Sequence, residues 1–181
     1  SSPLNVTNTG NLTTNGLGNP LPNAVVQPYG ISATTIGARG YDGRDASITH
    51  SSTDGEPGGV GGTITLKSTG NITTNGAGAV GIFAWSAGGD GGQGGDSGYT
   101  RNAKAGGPAG TGGEVDVTGS GAIKTQRDDA SGILALSQGG NGGGGGDGST
   151  FNGAENGANG GRGGAVNVNG AWQIETHGNN A

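Results

Sequence analysis

The chain has 181 residues, 47 of them glycine, and contains no cysteine. So much glycine and so few large aliphatics exclude a conventional globular core of this length, and without cysteine neither a disulfide framework nor a thiolate metal site is available. Eight basic against 13 acidic side chains give a formal charge of -5 and no basic stripe, which argues against nucleic acid and against an anionic membrane surface as partners. No apolar run is long enough for a signal peptide or a membrane span, so direct membrane insertion is not expected and the chain reads as a mature or excised piece.

In chain order, alternation over Leu4-Asn5-Val6-Thr7 opens a first strand and Asn11-Leu12-Thr13-Thr14 a second. An insertion at 17–29, around Pro20, Pro22 and Pro28, reads as a loop, and Gly30-Ile31-Ser32-Ala33 opens a third strand. The pattern then recurs. Thr63 to Lys67, Glu114 to Thr118 and Ala165 to Asn169 repeat the first strand; Asn71 to Thr74, Ala122 to Thr125 and Gln173 to Thr176 repeat the second, after a turn of glycine or small residues; Gly81-Ile82-Phe83-Ala84 and Gly132-Ile133-Leu134-Ala135 repeat the third. The period is 51 residues, giving repeats 4–62, 63–113 and 114–164 and a partial repeat 165–181 within one repeat domain. A fixed long period means a stacked, quasi-one-dimensional protein.

Three β-branched strands per repeat predict an all-β fold, a parallel β-helix of about three coils in which each strand pairs with its counterpart one coil away. The core ladders are then Leu4, Ile64, Val115, Val166; Val6, Leu66, Val117, Val168; Leu12, Ile72, Ile123, Ile174; and Ile31, Ile82, Ile133. Thr14, Thr74, Thr125 and Thr176 share the inward parity and are expected to bond hydroxyl to hydroxyl along the stack. Asn15, Asn75, Gln126 and His177 mark a corner, where side-chain amides satisfy turn backbone.

After the third strand, glycine falls at 37, 40 and 43, at 88, 91 and 94, and at 139, 142 and 145; it returns at 59 and 62, 110 and 113, 161 and 164. Three residues is the pitch of the polyproline-II helix, and glycine at every third position lets such helices approach closely. The expectation is a hairpin arm on each coil, polyglycine-II-like, with an outbound segment, a variable tip near 98 to 105 and a return segment. Collagen is excluded by the 6 prolines. Disorder, the competing expectation for glycine-rich polar stretches, does not explain why the phase is kept three times. Outward Phe83, Trp85, Leu134 and Leu136 need a cover, which the arms are placed to give.

Asp45, Asp96 and Asp147 stand 51 residues apart, so stacking brings three carboxylates together, either around a cation such as Ca2+ or as acceptors of backbone N–H groups. A calcium nonapeptide is nearly matched by Gly91 to Tyr99, but Gly98 sits where an apolar residue is required and no tandem copy follows; turn capping is the favoured reading. A β-helix hydrolase or lyase acting on glycans needs carboxylates clustered on one outward face. Glu114 and Asp116 align instead with Thr63 and Thr65 and with Ala165 and Asn167, and Asp128-Asp129 has no acidic counterpart, so these read as solvated charges. Lys124 and Glu175 occupy matching strand positions and should pair across neighbouring coils. The glycine run Gly142 to Gly146 lacks the lysine and following helix of a phosphate cradle, and the outward Thr63 and Thr65 give way to Glu114 and Asp116, so a flat ice-binding threonine face is not sustained.

The combination Gly-Ile-x-Ala-x-Ser, then Gly-Gly-x triplets, then a Val/Thr strand and Gly-x-Ile-x-Thr is carried by Gly81 to Gly95, Gly110 to Val117 and Gly121 to Thr125, and again by Gly132 to Gly146 and Gly161 to Val168. It resembles the glycine-rich repetitive passenger regions of large Gram-negative autotransporters. The resemblance implies a right-handed β-helix exported across the outer membrane and displayed or released at the cell surface, without cofactor. The first repeat departs from the pattern, with Tyr41 and Arg44 where later arms have glycine. The expected function is a non-enzymatic structural or adhesive segment whose variable tips, His50 to Thr53, Arg101 to Lys104 and Asn152 to Glu155, meet glycans or proteins of host or neighbouring cells. The alternative is the subunit of a surface filament or sheath, in which identical chains, rather than flanking repeats, stack end to end.

Overall fold

The structure is a computed structural model that describes residues 2–15 and 29–181; most of the predicted insertion loop, with its three prolines, lies outside the described residues. Among those described there are nine strands and no helix. They are β1 (Leu4–Asn8), β2 (Leu12–Thr14), β3 (Tyr29–Ile36), β4 (Ile64–Ser68), β5 (Ile72–Thr74), β6 (Val80–Ala87), β7 (Val115–Thr125), β8 (Ser131–Gln138) and β9 (Val166–Thr176).

All strand pairs are parallel, and every strand bonds to its counterpart one repeat away. Parallel strands need long crossovers, and here the crossover is the rest of a repeat. One sheet joins β1, β4, β7 and β9 with β2 and β5; the other runs β3, β6, β8. Register follows the sequence period: Leu4 faces Ile64, which faces Val115, which faces Val166, while Ile31 faces Ile82 and then Ile133.

Alternation along each strand turns one row of aliphatics inward. Ile64, Leu66, Ile72, Ile82, Val115, Val117 and Ile123 are fully buried in a single cluster fed by both sheets, with Leu4, Val6, Leu12 and Ile133 packed at its ends. Val166, Val168 and Ile174 occupy the same inward row on β9, yet are 41, 44 and 50% exposed because the third-strand sheet ends at β8. Gly81 explains the glycine of the Gly-Ile motif: a methyl there would stand 2.5 Å from both the Gly132 carbonyl oxygen and the Ile123 Cγ2.

Three expectations need correction. The turn between first and second strands does not interrupt the sheet in the later repeats: β7 and β9 each run through it as one 11-residue strand, with Gly119 and Gly121 bending the chain at positive φ (153° and 115°), a conformation glycine tolerates. The threonine hydroxyl chain is absent. Thr14, Thr74 and Thr125 Oγ1 atoms are buried without a partner, although register alone does not forbid such a bond: Thr35 Oγ1 and Ser86 Oγ, paired between β3 and β6, are 3.0 Å apart. Finally, the outward row of the third strand is covered unevenly, with Phe83 and Trp85 half-buried and the third-repeat residues exposed. Phe83 stacks on Tyr29 at 4.9 Å, whereas Leu134 and Leu136 remain 37 and 43% exposed; the arms spend their bonding groups on one another.

Candidate functional site at the arms and their tips

Each third strand runs into an outbound segment (37–46, 88–97, 139–148), and a return segment (53–62, 104–113, 155–164) leads back to the next first strand. Backbone bonds knit these six segments in two directions. Along one, Gly88, Gly91 and Gly94 donate to the carbonyls of Gln138, Asn141 and Gly144 at 2.8, 2.8 and 2.9 Å, as Gly37, Gly40 and Gly43 donate to Ala87, Asp90 and Gln93. Across the other, Gly89, Gly92 and Gly95 donate to Gly59, Glu56 and Thr53, while Gly107 and Gly110 donate back to Gly92 and Gly89.

At five places the third N–H of a triplet is met by a carboxylate of the preceding repeat. Asp45 Oδ1 accepts the Asp96 N–H at 3.0 Å and Asp96 Oδ1 accepts the Asp147 N–H at 2.8 Å. Asp42, Asp90 and Asp54 serve Gln93, Asn141 and Ala105 in the same way, at 2.8, 2.6 and 3.1 Å. The aspartates singled out from their spacing are therefore brought together in register, Asp45 and Asp96 each bonded to the backbone of the next repeat. Among the described residues no three His, Asp or Glu side chains gather where a metal ion could be held.

A buried hydroxyl, whose role spacing alone did not reveal, anchors the arm to the sheet. Ser86 donates to the Gly62 carbonyl at 2.8 Å and accepts the Gly113 N–H at 2.9 Å; Ser137 does the same with Gly113 and Gly164, both at 2.7 Å. Thr35, at the matching position of the first repeat, donates to Gly62 at 2.9 Å. The signal was present as a hydroxyl at 35, 86 and 137.

The arms reverse within the expected tip, at its first four residues. Ser47 N–H donates to the His50 carbonyl, Gly98 N–H to Arg101 and Ser149 N–H to Asn152, at 2.9, 3.0 and 2.8 Å. Small polar residues favour such turns. Ile48 and Tyr99 are 97 and 77% exposed, and Phe151, 65% exposed, meets Tyr99 edge-on at 4.9 Å. Ile48 and Tyr99 line a shallow depression with Ala46, Ser47, Gly98 and Thr100. Neighbouring tips are tied together by Arg101 Nη1 to Ser51 Oγ at 2.6 Å and Asn152 Nδ2 to the Gly98 carbonyl at 2.9 Å.

The remaining sites are exposed. Asn167 Nδ2 donates to Glu114 Oε1 at 3.2 Å and to Asp116 Oδ1 at 2.7 Å, and Asp128 accepts the Asn179 N–H at 2.8 Å. Lys124 Nζ lies 2.8 Å from Glu175 Oε2, the cross-repeat pair expected from register. His177 does not cap turn backbone with its ring; its Nε2 meets Glu175 Oε1 at 2.6 Å. Hydrogen bonding from Lys124, then from His177, holds the Glu175 carboxyl below its ordinary value. No helix among the described residues is long and apolar enough to cross a membrane.

Comparison with protein-family models and with curated proteins gives no match. One solved structure with partial similarity is the antifreeze protein of the springtail Granisotoma rainieri, a bundle of nine polyproline type II helices. It is 25% identical over 72% of this chain and 97% of that one, with a TM-score of 0.18, at which no shared fold follows.

Proposed function

We propose that the chain is a structural and adhesive segment of an extracellular repeat protein of the autotransporter-passenger kind: a right-handed β-helix whose coils are the 51-residue repeats and whose polyglycine-II arms carry variable tips outward. Support for the coils comes from parallel pairing of every strand with its counterpart and from one core shared by two sheets. Support for the arms comes from backbone bonds recurring every three residues, the pitch of polyproline II. Display at a Gram-negative cell surface follows from the sequence resemblance.

One observation carries the functional reading. The backbone frame keeps its register through all three arms, while the turn side chains change from Ile48, Thr49 and His50 to Tyr99, Thr100 and Arg101 and to Thr150, Phe151 and Asn152. A fixed frame with varied, exposed apolar ends is the economy of a display scaffold. The test is adhesion of the immobilised chain to cultured epithelial cells and to bacteria, with an Ile48→Ser, Tyr99→Ser, Phe151→Ser variant alongside. Retained circular dichroism with lost adhesion supports the reading; equal adhesion by both chains removes the tips from it.

A second reading, a self-stacking filament subunit, is favoured by the half-exposed Val166, Val168 and Ile174 on β9. Fibres with an axial repeat near 4.8 Å in electron micrographs of the purified chain would support it.

A further inference from the structure

The bundle of arms has two edges of opposite chemistry. The second glycine of each triplet faces the preceding repeat: a methyl on Gly89, Gly92 or Gly95 would overlap the carbonyl oxygens of Ala38, Tyr41 or Arg44, and one on Gly140, Gly143 or Gly146 those of Gly89, Gly92 or Gly95. In the first repeat these positions are held by Ala38, Tyr41 and Arg44, and Glu56 takes the place of Gly107 in the return segment; all four are exposed. By the same backbone geometry their side chains project away from the second repeat, into the space that a preceding arm would fill.

The third return segment shows what even a methyl does there. Ala158 replaces the glycine of position 107, and the flanking bonds, Gly106 to Asn156 and Ala109 to Asn159, are stretched to 3.4 and 3.2 Å; the matching bonds one repeat earlier, Gly55 to Ala105 and Gly58 to Pro108, are 3.0 and 2.8 Å. A phenol and a guanidinium at successive triplets are far larger obstacles.

At the opposite edge the N–H groups of Gly139, Gly142 and Gly145 stand where Gly88, Gly91 and Gly94 donate one repeat earlier, and have no partner among the described residues. The carbonyls of Gly161, Ala158 and Glu155 match those of Gly110, Gly107 and Lys104, which accept Gly140, Gly143 and Gly146. Unpaired groups in this order match an incoming arm that has glycine at two positions of each triplet.

We infer that the arm bundle is closed on its first-repeat edge and open on its third-repeat edge, and that the open edge binds a further strand of Gly-Gly-x triplets through its x carbonyls and second-glycine amides. The chain's own first arm does not qualify, since Ala38, Tyr41 and Arg44 would be driven into the carbonyls of Gly140, Gly143 and Gly146. Growth through the arms is one-directional, and identical copies do not continue the bundle end to end, which weighs against the filament reading.

The test uses the whole chain, 15N-labelled, titrated with the synthetic peptide (Gly-Gly-Asn)4 and with (Ala-Ala-Asn)4 as control. The expected result is saturable shifts at the amides of Gly139, Gly142 and Gly145 with the glycine peptide alone, and none at Ala38, Tyr41 or Arg44. A folded Ala38→Gly, Tyr41→Gly, Arg44→Gly chain then gains a second site at the first-repeat edge. Binding of the alanine peptide, binding at both edges of the unaltered chain, or no shift at the three glycines up to millimolar peptide overturns the inference.

Discussion

Gly92 lies against the carbonyl oxygen of Tyr41 so closely that one methyl on its α-carbon would overlap that oxygen, while its own N–H donates to Glu56 at 2.9 Å. Gly144, one residue beyond the equivalent Gly143, has nothing within 4 Å of such a methyl. Replacing Gly92 by alanine should therefore destabilise the chain by about 2 to 4 kcal/mol through overpacking and lost arm bonds, whereas Gly144→Ala should change stability by no more than about 1 kcal/mol, in the stabilising direction. Urea unfolding followed by circular dichroism measures both; equal effects would mean that the arms are not packed.

Ser86 holds two backbone groups from different repeats, the Gly62 carbonyl and the Gly113 N–H, in a buried setting. Ser86→Ala leaves both without this partner and should cost about 1 to 3 kcal/mol. Exposed Ser149, whose hydroxyl reaches only the Gly98 carbonyl at 3.2 Å, should cost less than about 0.5 kcal/mol when changed to alanine. Thermal unfolding of the two variants separates the cases.

Asp96 accepts the Asp147 N–H and gives its own to Asp45, which uses the carboxylates without a cation. Asp96→Ala should lower stability by about 0.5 to 1.5 kcal/mol, Asp96→Asn should keep most of it through the amide oxygen, and calcium or a chelator should leave the melting temperature unchanged. A rise in melting temperature with calcium would restore the cation reading.

Glu175 is held below its ordinary value of 4.5, chiefly by Lys124 and then by His177. A depressed carboxylate adds stability that is present above the unfolded pKa and lost as pH falls through the folded one; the effect is small because the group is exposed. Lys124→Ala should move the Glu175 titration upward toward 4.5 in side-chain NMR, and an unmoved titration would remove Lys124 as the cause.

Ile82 and Val166 measure the unevenness of the core. Ile82 is fully buried at the middle of its ladder, and Val166 is 41% exposed at the end. Ile82→Ala should cost about 2 to 5 kcal/mol, and Val166→Ala less than about 1 kcal/mol. Similar losses would mean that β9 is as deeply packed as the middle rungs.

The alternation in Ile64-Thr65-Leu66 and its recurrence 51 residues later were enough to place the parallel rungs and to pair Lys124 with Glu175, because register in a repeat is set by the period itself. Three features were not legible. Gly119 and Gly121 read as a turn, yet glycine at positive φ can bend a strand without breaking its pairing. Within the expected tip the turns close in four residues, at 47–50, 98–101 and 149–152, a length that three-residue glycine spacing does not mark. The second glycine of each triplet was visible in Gly88-Gly89 and Gly91-Gly92, but its meaning emerges only with the neighbouring arm in place, when Ala38, Tyr41 and Arg44 become the outer wall of the bundle.

The account rests most on the arms being bonded frameworks rather than linkers, and amide hydrogen exchange resolved by NMR tests this directly. If it is right, the amides of Gly89, Gly92, Gly107 and Gly110 are protected to an extent comparable with Ile82 in β6, while tip residues Thr49 and Thr100 exchange fast. Arm glycines that exchange at the rate of an unstructured peptide, beside protected strands, would contradict it.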